Sequence, residues 1–176
     1  TVDGFRRQTI GFYLANTGRP GPVLIDLPKN IQTGTGDVQF TNKISLRGYK
    51  LITEPKPSKI SQAADLLAKA ECPIILAGGG VITAAASDEL TEMSDLLMAP
   101  VATTFMGKGA FPETHPLSLG SIGMHGNPAA NRLMGEADVL LAVGTRFSDR
   151  ATTNLDTFAP NAKKIHIEID NAEINK

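Results

Sequence analysis

The chain has one cysteine, Cys72, among its 176 residues. A single thiol cannot close an internal disulfide or build a cysteine-only metal site. It also lacks an excess of charge of either sign. Lys and Arg number 17 against 18 Asp and Glu, a net charge of −1, which argues against a nucleic-acid or anionic-membrane binder that would need a basic surplus. No apolar run approaches the ~20 residues of a membrane-spanning helix. The start, Thr1-Val2-Asp3-Gly4, has neither an initiator Met nor a basic-then-apolar signal pattern, and reads as a chain cut from something longer. The P-loop lysine, the Gly-x-Gly-x-x-Gly fingerprint and a serine nucleophile elbow are all missing, which removes the commonest phosphate-binding and acyl-transfer signatures. What is present is a composition fit for a packed core. Hydrophobic residues make up 41% and charged residues 20%, so whole-chain disorder is excluded and one domain, or one domain with a piece of another, is expected.

The pattern changes once along the chain. Residues 3–17 read as a helix, with Asp3 as cap and Gly18 as a left-handed stop. Arg19-Pro20-Gly21-Pro22 is a rigid turn that feeds Val23-Leu24-Ile25-Asp26-Leu27, an apolar run expected to be a buried strand. Periodicity then fails, and the Gly- and Pro-bearing stretch 33–56 reads as a linker. This predicts an end piece over 1–32, a linker over 33–56 and a domain over 57–176. From Ser58, a candidate N-cap, helical and strand patterns alternate. Ile60, Ala63, Ala64 and Leu67 share a helix face, and Ile74-Ile75-Leu76-Ala77 is a strand. A helix is expected over 84–97, with Ala86, Leu90, Met93 and Leu97 inward, then a strand over 100–104 and a loop from Met106 to about Asn127. A helix over 128–135 and strands over 138–143 and 164–169 follow. Alternation of this kind predicts a Rossmann-like α/β fold, a parallel sheet with helices on both faces.

In such sheets ligands bind where loops leave the C-terminal strand ends. Four stretches qualify: Gly78-Gly79-Gly80, Thr103 to Gly107, Gly144-Thr145-Arg146-Phe147, and Glu168 to Asn171. Small residues there let backbone N–H groups approach a phosphate or a ring. Two arginines and an aspartate in Arg146-Phe147-Ser148-Asp149-Arg150 either form a salt-bridged surface loop or grip a carboxylate or pyrophosphate. The three histidines lack zinc spacing. His125 sits between backbone-exposing glycines in Gly123-Met124-His125-Gly126, His166 reads as a sheet residue and His115 as a turn residue. Cys72 shows no partner base and reads as structural. No carboxylate pair stands out for acid–base work, so the residues describe a ligand-binding α/β domain without a visible catalytic engine.

These motifs carry a family resemblance. Gly18 through Lys29, Met106-Gly107-Lys108-Gly109, Gly120 through Gly126, Asp138 through Gly144, Arg146 through Arg150 and Ile165 through Asp170 together resemble the large catalytic subunit of acetolactate synthase (acetohydroxyacid synthase), a thiamine-diphosphate enzyme family. The resemblance covers nearly the whole chain and is weakest in the linker. It implies the end of a pyrimidine-binding domain followed by most of a central, FAD-binding-type domain that stops before the family's central domain finishes. The family's activating glutamate and its Gly-Asp-Gly…Asn metal motif cannot be placed here, so the resemblance assigns thiamine diphosphate and Mg²⁺ to other domains and expects no metal ligand or catalytic residue in these positions.

By position, the resemblance assigns FAD contacts to Arg19, Gly78, Gly79, Gly80, Thr104, Phe105, Met124, His125, Gly144, Thr145, Arg146, Asp149, Arg150, Glu168 and Ile169. It makes that flavin structural, in keeping with the absence of a hydride-positioning group. Lys29, Met124 and Arg150 would line the substrate channel, with Arg150 receiving the carboxylate of the second 2-oxo acid, a role suited to a permanently charged planar group. Two departures stand out: Ser148 replaces an aspartate common in relatives, removing one charge, and Ala151 replaces a frequent valine. The implied reaction joins two pyruvates, or pyruvate and 2-oxobutyrate, with loss of CO2, in branched-chain amino-acid biosynthesis. Another thiamine-diphosphate carboligase or decarboxylase, such as glyoxylate carboligase, is the alternative, although Met124 with Arg150 favours a carboxylate-bearing acceptor. The resemblance further implies a cytoplasmic homodimer or higher oligomer, 2-oxo acids as small-molecule partners, a small regulatory subunit, and no nucleic-acid or membrane partner. These 176 residues alone are expected to be inactive.

Overall fold

In a computed structural model, residues 2–36 and 44–175 are described. The chain divides into two compact units, Thr1–Glu54 and Pro55–Lys176. In the first, helix α1 spans Val2–Asn16 and a single turn, α2, spans Lys29–Gln32. Gly18 takes φ +63°, the left-handed stop that the sequence announces. Asp3 lies inside the helix and is not its cap.

The expected strand over 23–27 is not formed. Val23 is 42% and Leu24 95% exposed, and no ladder pairs them. Apolar composition favours burial, but a strand also needs a partner, and the five strands of the described residues all belong to the second unit. The segment instead meets α1 through Ile25, whose Cδ1 stands 2.6 Å from where a Cβ on Gly11 would project. Part of the stretch read as a linker also returns to α1. The Tyr49 hydroxyl is 2.9 Å from Thr17 Oγ1, and the Tyr13 and Tyr49 rings meet edge to face at 6.0 Å. Residues 37–43 of that stretch lie outside the described residues.

The second unit alternates helices and strands as expected. Its elements are α3 (Pro57–Leu67), β1 (Pro73–Ala77), α4 (Gly79–Thr83), α5 (Ser87–Leu97), β2 (Val101–Thr103), β3 (Ser118–Ser121), α6 (Pro128–Glu136), β4 (Val139–Val143), α7 (Asp149–Thr152) and β5 (Lys163–Ile167). The sheet order is β3-β2-β1-β4-β5, every pairing parallel. Side chains alternate across it as a pleat requires. Ile74 and Leu76 of β1 and Leu140 and Ala142 of β4 face a core closed by Ala130 and Met134 of α6. Ile75 and Ala77, with Leu141 and Val101, face the opposite core with Val81 of α4, Leu90 of α5, Phe111 and the partly buried Leu67 of α3. Both faces are therefore covered by helices. Full burial of a Leu or Ile such as Ile75, Leu76 or Leu140 contributes about 1.5–3 kcal/mol.

Several details depart from the sequence reading. Helix α3 begins with Lys56 as cap and Pro57 in its first turn, so Ser58 is inside it. Its Ile60 is 54% exposed, so the predicted inward face is real only towards its C-terminal end. The glycine triplet does not precede the next helix; Gly79 and Gly80 form the first turn of α4, and the predicted 84–97 helix begins at Ser87. Within it Leu90 is buried but Met93 is 38% exposed. The loop from 106 to 127 contains β3, an edge strand whose sequence Ser-Leu-Gly-Ser has too little apolar character to announce itself. The predicted helix over 128–135 matches α6, with Asn127 accepting from the Ala129 N–H at 3.0 Å as N-cap and Pro128 at N1. Among the described residues no helix is long and apolar enough to cross a membrane.

Candidate functional site

The parallel register places the strand ends level. Ala77 pairs with Thr103 on one side and with Val143 on the other, Val143 pairs with Ile167, and Thr103 with Ser121. The loops that follow these residues therefore leave one edge of the sheet, and the strand order reverses between β1 and β4. That is where a ligand crevice forms in an open α/β sheet.

At that reversal the loops are packed on each other. The Gly78 N–H donates to Val143 O at 2.8 Å, and the Gly80 N–H to Gly144 O at 3.0 Å. A Cβ on Gly78 would fall 2.1 Å from Gly144 O, and one on Gly80 would fall 2.6 Å from Gly144 Cα. Gly144 itself has φ +57°. From β2, the Thr104 N–H donates to Ala77 O at 2.9 Å, while its Oγ1 accepts from the Gly107 N–H at 3.1 Å. The glycines at Gly78 and Gly80 are thus explained by close backbone packing between the β1 and β4 loops.

Around this packed floor the edge presents apolar and cationic side chains to solvent. Phe105 is 85%, Met106 73%, Met124 66%, Ile167 55% and Ile169 41% exposed. Such a row is unusual at strand ends unless something covers it. His125, Arg146, Asp149 and Arg150 are exposed beside it. No ion pair joins Arg146, Asp149 or Arg150 to another described residue, which removes the reading of a salt-bridged surface loop. Glu168 behaves differently: its Oε1 accepts from the Ile169 and Asp170 N–H groups at 2.9 and 3.2 Å, shaping the loop after β5. Arg19 and Lys29 belong to the first unit, where both are exposed.

The β4 loop is held by His166. Its Nε2–H donates to the buried Thr145 carbonyl at 2.8 Å. Phe147 sits at φ +50°, a costly conformation for a non-glycine residue. Its ring lies between His166, at 4.9 Å, and Phe158, at 6.1 Å. His166, read as an ordinary sheet residue, therefore orients the loop that carries Arg146.

The β3 exit is equally tight. A Cβ on Gly123, at φ +103°, would meet Arg150 O at 2.3 Å, and one on Gly126 would meet the Ile122 carbonyl carbon at 2.4 Å. The Met124 N–H donates to Arg150 O at 3.0 Å. The structure therefore brings together Gly78, Gly79, Gly80, Thr104, Phe105, Gly144 and Thr145 at the sheet reversal, and places Met124 beside Arg150.

Sequence reasoning passed over Asp138 and Asn131. Asp138 accepts from the Glu71 and Cys72 N–H groups at 2.7 and 3.0 Å, and these bonds, Glu71's foremost, hold its carboxyl below the usual range. Cys72, expected to be structural, is exposed, and its contribution is that backbone N–H. Asn131 binds both polar atoms of Gly123. Only the Asn127-Pro128 helix start just before Asn131 was a readable signal for its neighbourhood. His115, read as a turn residue, accepts the Leu117 N–H at 3.3 Å through Nδ1 and lies 3.3 Å from Asp95. Among the described residues no group of three or more His, Cys, Asp or Glu could hold a metal ion.

Chemically, the edge offers an apolar shelf for a planar ring, guanidinium groups for phosphates or a carboxylate, and a rigid floor. An elongated ligand with a ring system and a pyrophosphate fits that donor set.

Comparisons with known proteins agree with this architecture. Residues 60–176 match the model of the thiamine pyrophosphate enzyme central domain. The chain is 55% identical over 168 residues to a probable acetolactate synthase large subunit of Methanocaldococcus jannaschii, covering 94% of this chain and 28% of that protein. It is 47% identical to the acetolactate synthase large subunit of Corynebacterium glutamicum, covering 94% and 26%. It is 46% identical to the acetolactate synthase of Mycobacterium bovis, covering 94% and 27%. The chain thus spans little more than a quarter of the length of these relatives. With the match to the family model running through β1 to β5 and the sheet-edge loops, the chain belongs to the thiamine pyrophosphate enzyme family, with residues 60–176 as the central domain.

Proposed function

We propose that this chain is the central part of an acetolactate synthase large subunit and that the C-terminal edge of its sheet holds FAD as a structural cofactor. The observation that carries the proposal is the exposed row Phe105, Met106, Met124, Ile167 and Ile169 beside Arg146 and Arg150, which have no ion-pair partner among the described residues, in a chain 46–55% identical to acetolactate synthases. The shelf of apolar side chains fits a flavin ring, and the guanidinium groups fit its pyrophosphate.

The reaction proposed for the whole protein is the condensation of two pyruvates, or of pyruvate and 2-oxobutyrate, with release of CO2. Thiamine diphosphate, with Mg²⁺, supplies the nucleophilic carbon when bound, from other domains. This chain's residues do the positioning. Arg150 receives the carboxylate of the acceptor 2-oxo acid, and Met124 gives the acceptor's alkyl group an apolar wall. The packed glycine floor excludes water beneath the ligand, and His166 keeps the Arg146 loop in place. The whole protein is proposed to work in the cytoplasm as a homodimer or larger assembly with a small regulatory subunit.

Product analysis tests the proposal. The full-length protein, supplied with thiamine diphosphate, Mg²⁺, FAD and pyruvate, is expected to release acetolactate. Acetaldehyde without acetolactate would assign it to the decarboxylases instead, and activity confined to glyoxylate would assign it to the alternative carboligase.

A further inference from the structure

Asn131 belongs to α6, whose helical amides need nothing from its side chain. Yet both ends of that side chain are committed to one residue of another segment. Its Oδ1 accepts the Gly123 N–H at 2.9 Å, and its Nδ2 donates to Gly123 O at 3.0 Å. The pairing fixes the amide's orientation, because only the oxygen can serve the N–H and only the NH2 can serve the carbonyl. Gly123 is in turn pressed against Arg150 O, and the next residue, Met124, donates its N–H to that same oxygen at 3.0 Å. Asn127, at the cap of the same helix, holds the rest of the turn. Its Nδ2 donates to Leu119 O at 3.2 Å, and its backbone N–H donates to Ser121 O at 2.7 Å.

We propose that Asn131 is a positioning residue that locks the Met124 turn onto the Arg150 backbone, so that the two exposed side chains of the acceptor path are set as one unit. The assignment of Met124 and Arg150 to that path rests on the function proposed above; the lock itself rests on the contacts alone. Both side chains stand largely in solvent. Met124 is 66% exposed and Arg150 is also exposed. The direction in which they leave the surface follows the backbone that carries them, and at Gly123 that backbone is pinned by Asn131. A guanidinium that grips the acceptor's carboxylate equally before and during the reaction affects KM and leaves kcat nearly unchanged, so its displacement weakens acceptor binding.

Two variants separate the chemistry from the volume. Asn131→Asp keeps the shape and the acceptor but turns the donor into a second acceptor facing Gly123 O. Asn131→Ala removes both bonds. Amide hydrogen exchange of the full-length protein is expected to quicken by about fivefold to tenfold, the scale of one net hydrogen bond, in peptides covering 121–127 and 149–153. Peptides from the remainder of α6 and from β4 should be unchanged in both variants. With pyruvate as donor, the KM for 2-oxobutyrate as acceptor should rise severalfold while kcat stays within about twofold. Unchanged exchange in 121–127, or an increase spread equally through α6 and the sheet, overturns the lock whatever the kinetics show. Exchange that quickens as expected while the KM does not move supports the lock and overturns its place in the acceptor path. A parent protein that forms no acetohydroxy acid at all overturns the proposed function and leaves the lock to be judged by exchange.

Discussion

Replacing Gly78 or Gly79 by alanine adds the same methyl group one residue apart and should give opposite results. At Gly78 the new Cβ would lie 2.1 Å from Gly144 O and 2.7 Å from Thr145 Cβ. The nearer partner is backbone and has no rotamer to retreat into, so one loop must move by about 1 Å. Overpacking of that kind costs about 1–3 kcal/mol. The same movement strains the bonds from the Gly78 N–H to Val143 O and from the Gly80 N–H to Gly144 O, each worth about 1 kcal/mol net. The expected loss is about 3–5 kcal/mol, a fall in Tm of about 10 °C or more. At Gly79, in the first turn of α4, the Cβ would meet Met106 O at 3.0 Å. That contact needs a few tenths of an ångström, offset by the helix preference of Ala over Gly, about 1 kcal/mol, so Gly79→Ala should change stability by no more than about 1 kcal/mol. Urea and thermal unfolding of both variants, followed by circular dichroism, make the comparison. If Gly78→Ala unfolds like the parent, the loop packing at the sheet reversal does not explain the glycine, and space for a ligand becomes the better explanation.

Truncation of Leu140, fully buried in β4, to alanine is expected to cost about 2–5 kcal/mol, read as a lower urea midpoint with an unchanged slope. Asp138→Asn should change the pH dependence of stability. The Glu71 and Cys72 N–H groups depress the native Asp138 pKa, so its contribution is complete above the unfolded carboxyl value of about 3.9 and is lost as pH falls through the lower native value. The parent's advantage over Asp138→Asn should hold at neutral pH and vanish in acid, measured as Tm against pH; an advantage independent of pH would contradict the assignment.

The α/β alternation was legible because each element of the second unit carries its own period. Ile74 to Ala77 and Val139 to Val143 are uninterrupted apolar runs, as strands buried on both faces must be. Where apolar character and pairing part company, the reading fails in both directions: Val23 to Leu27 is apolar without a partner, and Ser118 to Ser121 is a strand with little apolar content. At the candidate site, the strand-end loops picked out by their residue types do leave one edge, because a parallel sheet sends all those loops one way. What could not be read was which groups hold the loops. His166 to Thr145 O, Asn131 to Gly123 and Asp138 to Glu71 join residues 21, 8 and 67 positions apart. Such bonds are set by where the sheet brings the chain, and no local pattern encodes them. The glycines mark close backbone approach in the sequence, and at Gly78, Gly80, Gly123 and Gly126 the neighbour that comes close is the chain's own backbone.

The exposed edge carrying Phe105, Met124 and Arg146 is proposed to bind a flavin. Equilibrium titration of FAD by fluorescence, on the full-length protein and on its Arg146→Ala variant, tests it most directly. Arg146 is exposed and has no ion-pair partner among the described residues, so the variant should keep its circular dichroism and Tm. Saturable FAD binding by the parent and at least about tenfold weaker binding by the variant are expected, the loss of one charge-assisted contact of about 1.5–3 kcal/mol. No binding by the parent, or equal affinity in a folded Arg146→Ala protein, would contradict it.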